Sequence, residues 1–201
     1  MPGDERRQKF AAQAKALKQV FQWWDAIDGR AMQQKQIESL TDRPVQWNTI
    51  GEHDALSRPG ELALILSSIA LWQHAYKSKW NFLVVMEDDA ILLDSLSIEV
   101  PKDADLVFFN DRNGRNSQGL TSGYVCGTDG YLVTKAGINK LLSVFKEIYM
   151  PLDLQMIAQM PQMQDCNHHL AQYFRGDLPS LQSYTVAPLV ANSRSASRIK
   201  K

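Results

Sequence analysis

Apolar residues follow two rhythms along this chain, one helical and one of short unbroken runs. Phe10, Ala14, Leu17, Phe21 and Trp24 recur at steps of four, three, four and three, the spacing of one helix face. Phe21 and Trp23 also alternate, so residues 20–27 read equally as a strand after a helix ending near Lys18; Gly29 stops either element. Residues 30–58 are polar and weakly patterned, which predicts a long connection holding one short helix.

Beyond residue 56 the punctuation is clearer. Ser57 is placed to cap a helix, Pro59 suits its first turn, and Glu61 favours the positive end of its dipole. Leu62, Ile65, Leu66, Ile69 and Trp72 form its apolar face, with Ser68, His74 and Lys77 largely off it. Runs at 82–86, 103–111, 130–134 and 184–190 read as strands. Thr134 opens a helix with Ile138, Leu141, Leu142 and Phe145 on one face, and Pro151 opens another with Asp153 in its first turn. Apolar strands alternating with amphipathic helices predict an α/β fold. The expected form is a single domain over residues 1–201, with a mostly parallel central sheet covered by helices on both faces.

Composition narrows the class. The chain has 201 residues, 44% of them hydrophobic, enough for one core. Its 22 basic and 22 acidic residues cancel, so no basic excess points to nucleic acid. The charged opening MPGDERRQKF is unlike a signal peptide, and the nearly uncharged run 62–72 is too short for a transmembrane segment. Cys126 and Cys166 lack metal-ligand spacing and read as reduced thiols of a cytoplasmic protein. His168 and His169 are adjacent and so poorly placed to serve one ion; they read as exposed loop residues. The five tryptophans read mostly as core.

The chemistry concentrates in Glu87, Asp88 and Asp89, three consecutive carboxylates ending the strand 82–86. Neighbouring like charges repel and are costly to desolvate, so a cation, a basic partner or open water must compensate. Strand alternation would put Glu87 and Asp89 on one face and Asp88 on the other. Hard oxygen ligands at a strand's carboxyl end suit Mg²⁺ or Mn²⁺. The competing reading is a solvated strand-end turn. No phosphate-loop sequence accompanies the acids, which weakens a nucleotide triphosphatase reading.

An ordered set of motifs surrounds the triplet: Gly60-Glu61, Ser67 to Trp72, Glu87 to Ala90, Asp105 to Val107, Gly127 to Gly137 and Pro151 to Asp153. Their order and spacing resemble glycosyltransferase family 25, the lipopolysaccharide-biosynthesis and collagen galactosyltransferase-like family. The segment from Glu5 to Gly29 resembles the family's opening helix and following strand. The resemblance implies a GT-A-like fold and an inverting, metal-dependent transferase. The reaction would move a sugar, galactose from UDP-galactose, onto a glycan or lipopolysaccharide-type acceptor. It implies Asp89 as a ligand of Mn²⁺ or Mg²⁺, with Glu87 sharing the metal or binding the ribose, and Asp88 as a second ligand or a structural partner. Asp153 is the implied base, with Asp111 its alternate. Gly60, Glu61, Ser67, Gly127 and Gly130 are the implied donor-binding positions. The enzyme would have no transmembrane segment and would meet a membrane only peripherally. Two departures stand out. The chain starts downstream of the strand with which family members open, and Ser68 replaces the family's histidine. These favour, as the alternative, a catalytically inactive glycan- or nucleotide-binding relative of the same fold.

Overall fold

A computed structural model of the chain describes residues 2–46, 59–110, 114–122, 127–164 and 171–192. Trp47, Ser57, Asp111, Cys126, Cys166, His168 and His169 lie outside the described residues, and so do the expectations attached to them. The chain divides into two units, each assembled from segments distant in sequence.

The first unit comprises Met1–Trp23, Phe82–Thr134 and Gln182–Lys201. It opens with helix α1 (Pro2–Ala16), which turns Phe10 and Ala14 into the core one helical turn apart. The helix stops where Lys18 takes a left-handed φ of 54° and the Gln19 N–H reaches back to the Ala14 carbonyl at 2.8 Å. The helical spacing seen through Trp24 therefore ends earlier. Residues 19–28 are neither helix nor strand, and Phe21 and Trp23 pack edge-on at 4.9 Å near the surface.

Strands β1 (Phe82–Met86), β2 (Ala90–Leu92), β3 (Leu106–Asn110), β4 (Gly114–Arg115), β5 (Thr121–Ser122), β6 (Gly130–Thr134) and β7 (Ser183–Asn192) follow. Five of them form one sheet in the order β1-β6-β3-β7-β2, while β4 and β5 pair separately. The expected mostly parallel sheet is corrected here. The β1–β6, β3–β6 and β2–β7 pairs are antiparallel, and β3–β7 alone within that sheet is parallel. Apolar runs report burial on both faces, not strand direction; β3 is buried at all five positions and yet pairs antiparallel with β6. Phe10, Ala14, Leu92, Val107, Phe109, Leu132 and Val190 join in the core of this unit.

The second unit comprises Trp24–Asn81 and Lys135–Leu181 and is helical. It contains a 3₁₀ turn at Gly29–Ala31, then α2 (Gln34–Glu38), α3 (Pro59–Lys77), α4 (Lys135–Val144), α5 (Leu152–Ala158) and α6 (Pro161–Gln164). The short helix expected in the long connection is α2. Helix α3 buries Leu62, Ile65, Leu66, Ile69 and Trp72, the predicted face, and the Trp72 ring meets Phe145 at 5.4 Å. Among the described tryptophans Trp72 is buried, while Trp23, Trp24 and Trp80 are exposed, correcting their assignment to the core. Helix α4 ends at Val144, and beyond it Phe145, Ile148, Tyr149 and Met150 are buried.

Candidate functional site

The register of β1 on β6 builds the acidic site. Met86 lies opposite Gly130, so the next antiparallel pair is Glu87 and Asp129, and the Glu87 N–H donates to the Asp129 carbonyl at 3.0 Å. Directly opposed residues of an antiparallel pair project to the same face, and like charges placed so repel. A turn then follows: the Ala90 N–H donates to the Glu87 carbonyl at 3.1 Å, which reverses the chain and starts β2. That turn returns Asp89 to the same place. Carboxylate oxygens of Glu87, Asp89 and Asp129 all lie within 4.8 Å of one another.

Asp129 is buried, and Glu87 and Asp89 are half-buried. The Thr128 hydroxyl donates to Glu87 Oε1 at 2.8 Å. Oδ1 of Asp89 is shielded from solvent and has no hydrogen-bond partner. A buried carboxylate oxygen without a donor is costly, and a hard cation shared by the three carboxylates would remove that cost. Oxygens about 2.1 Å from one such ion lie up to about 4.2 Å apart, comparable with the 4.8 Å within which these three gather. The residues present therefore fit a divalent cation. Asp88 faces elsewhere: its Oδ1 lies 3.6 Å from Arg6 Nη1, a half-exposed ion pair with α1. The expected split of Glu87 and Asp89 from Asp88 holds, produced by a turn rather than by continued strand.

Asp129 was not among the residues singled out from the sequence. Its signal, the Gly127-Thr128-Asp129-Gly130 stretch, was visible, but a parallel sheet would have put the far end of β6 beside the acids. Gly127 has a φ of 84°, in the left-handed region, and its carbonyl accepts from the Asn110 carboxamide at 3.2 Å. Gly130 is needed for close packing. A Cβ there would lie 2.9 Å from Met86 Sδ and 3.0 Å from Phe109 Cδ2. Tyr131 is core.

The remaining expected residues belong to the helical unit. Gly60 and Glu61 lie in the first turn of α3, and nothing approaches within 4 Å of the place a Gly60 Cβ would take. Ser67 is buried; its hydroxyl donates to the Ala63 carbonyl at 2.6 Å and accepts from the Ile27 N–H at 2.9 Å. Its one proton and one lone pair thus serve the backbone. Asp153 is half-buried in the first turn of α5, where Oδ1 accepts the Leu154 N–H at 2.9 Å. The loop before it is held by buried Gln155. That carboxamide donates to the carbonyls of Val144 (3.0 Å) and Glu147 (2.8 Å) and accepts from the N–H groups of Tyr149 and Met150.

Comparison with known proteins identifies the class. The family model described as glycosyltransferase family 25 (LPS biosynthesis protein) matches residues 3–107, just over half of the chain and the segment carrying α1, α3, β1 and the acidic triplet. The chain belongs to this family, and its activity is that of a glycosyltransferase. A search of curated proteins found no match.

Proposed function

We propose that the chain is a metal-dependent, inverting hexosyltransferase that moves galactose from UDP-galactose to a glycan or lipopolysaccharide-type acceptor, on a GT-A-like scaffold. One observation supports the metal-dependent reading above the others: the convergence of Glu87, Asp89 and Asp129 around an unpartnered, buried Asp89 oxygen. A solvated strand-end turn would leave that oxygen hydrated.

In this reading Glu87, Asp89 and Asp129 hold Mn²⁺ or Mg²⁺. The bound ion would supply charge stabilisation to the departing nucleoside diphosphate, the largest electrostatic contribution expected for such a step. Inversion by one displacement requires a base at the acceptor hydroxyl. Asp153 is the proposed base, supported by its firm seat at the start of α5. Gly60, Glu61 and Gly127 are the proposed donor contacts: α3 offers an open first turn at Gly60, and Gly127 brings bare backbone beside the Thr128-Asp129 pair. No helix among the described residues is long and apolar enough to cross a membrane. The cytoplasmic, at most peripherally membrane-associated placement remains part of the proposal.

The test is thermal stabilisation by UDP with Mn²⁺, together with Mn²⁺-dependent hydrolysis of UDP-galactose. Both effects are expected in the unsubstituted chain and should vanish in Asp89→Ala. A binding-only relative is the second reading, favoured by Ser68 standing, buried, where the family has a histidine. It predicts stabilisation by UDP with no hydrolysis or transfer. A response to ATP but not to UDP would sink both readings.

A further inference from the structure

We infer that Thr128 is a positioning residue for the cation site: its hydroxyl fixes the carboxylate of Glu87 so that Glu87, Asp89 and Asp129 meet at one point. This rests on the metal-dependent reading proposed above.

The argument begins with the backbone. Gly127, at a φ of 84°, turns the chain into β6, and the next residue is Thr128. Its neighbour Asp129 is locked to Glu87 by the backbone hydrogen bond that extends the β1–β6 ladder. Thr128 is 5% exposed, so water competes poorly for its hydroxyl. The partner is Glu87 Oε1 at 2.8 Å. An ionised carboxylate only accepts, so the threonine must donate. A carboxylate oxygen that accepts one hydrogen bond can still ligate a cation.

The pairing solves a mechanical problem. Glu has three side-chain torsions, and a glutamate beside two aspartates would swing away to lower the repulsion. Threonine is β-branched and stiff at χ1, so its hydroxyl is a fixed anchor. Holding Oε1 removes rotamer freedom before a cation arrives, and the ordering cost is then met during folding. Donors that orient a metal-binding side chain in this way typically change metal affinity by about 10- to 100-fold. Thr128 touches neither the cation nor the sugar in this scheme and acts wholly through Glu87.

The test compares Thr128→Val, which keeps the shape and removes the donor, with Thr128→Ser, which keeps the donor. The readout is Mn²⁺ affinity, measured by electron paramagnetic resonance titration without any sugar donor, alongside the urea midpoint without metal. Thr128→Val should weaken Mn²⁺ binding about 10- to 100-fold, and Thr128→Ser should bind nearly as the unsubstituted chain does. A purely structural role would lower the urea midpoint but leave the affinity of the folded fraction unchanged. Equal affinity in Thr128→Val and the unsubstituted chain overturns the role of Thr128 alone, as does a Thr128→Ser chain as weak as the valine one. Absence of Mn²⁺ binding by the unsubstituted chain overturns the cation site itself. Should the valine variant fail to fold, Thr128→Ala serves as the second donor-less variant under the same criteria.

Discussion

Asp88 pairs with Arg6 of α1 at 3.6 Å, while the carboxylates on either side of it, Glu87 and Asp89, converge with Asp129. Three adjacent acids thus have two destinations. The middle one ties the turn after β1 to the first helix; the outer two join an acid from the neighbouring strand.

That division predicts different outcomes for adjacent substitutions. Asp89→Asn should weaken Mn²⁺ binding by at least about tenfold, since it removes a ligand charge and relieves the unpartnered buried oxygen. Asp88→Asn should leave Mn²⁺ binding close to that of the unsubstituted chain and cost no more than about 1 kcal/mol of stability, as for a half-exposed ion pair. Calorimetric Mn²⁺ titration and urea unfolding of the two variants check this; equal loss of binding in both would contradict the split.

The two glycines Gly60 and Gly130 should respond oppositely to alanine. Gly130→Ala forces a methyl group against Met86 and the Phe109 ring and should cost about 1–3 kcal/mol. Gly60→Ala meets nothing within 4 Å and lies in a helix, so it should raise stability by roughly 0.5–1 kcal/mol. If bare backbone at Gly60 contacts the donor, the same variant should lose UDP affinity while gaining stability. Thermal unfolding and a UDP titration separate the two effects.

Gln155 is buried with four backbone partners, so Gln155→Leu should be severe. Two carbonyls and two N–H groups around the 144–150 loop would lose their partner in a buried setting. The expected loss is on the order of 3 kcal/mol, measured by urea unfolding. A loss under about 1 kcal/mol would mean that water replaces the carboxamide.

Asp28 sets a pH expectation. Bonds from the Arg30 guanidinium at 2.8 and 2.9 Å, joined by the Arg30 N–H, hold the Asp28 carboxyl down to about 2 from an ordinary 3.8. A depressed acid stabilises the fold above its ordinary value, and that contribution is lost as pH falls through about 2. The pair is exposed, so solvent screening keeps its effect on global stability small. Carboxyl NMR titration should show the low midpoint, and Arg30→Ala should raise it only part of the way back toward 3.8, because the backbone N–H of residue 30 still donates.

Local chemistry made much of the chain readable. Pro59 and the apolar stripe from Leu62 to Trp72 specify α3 whatever surrounds it, because helical periodicity is a property of neighbours in sequence. The runs 82–86 and 130–134 became strands for the same reason. The acidic triplet was visible too, as was the separation of Asp88 from its neighbours. Strand partners were not visible. Whether β6 runs parallel or antiparallel to β1 depends on contacts between residues more than forty positions apart, and an apolar run has no direction written in it.

That one choice decides the site. With β6 antiparallel, its first residues sit beside the last residues of β1, and Asp129 faces Glu87. Were the pair parallel, the end of β1 would lie beside Thr134, with Asp129 at the opposite end of the strand. The residue types able to hold a cation were therefore settled by composition and order along the chain. Their meeting at one point was settled by hydrogen-bond register, which long-range packing selects and local sequence does not encode.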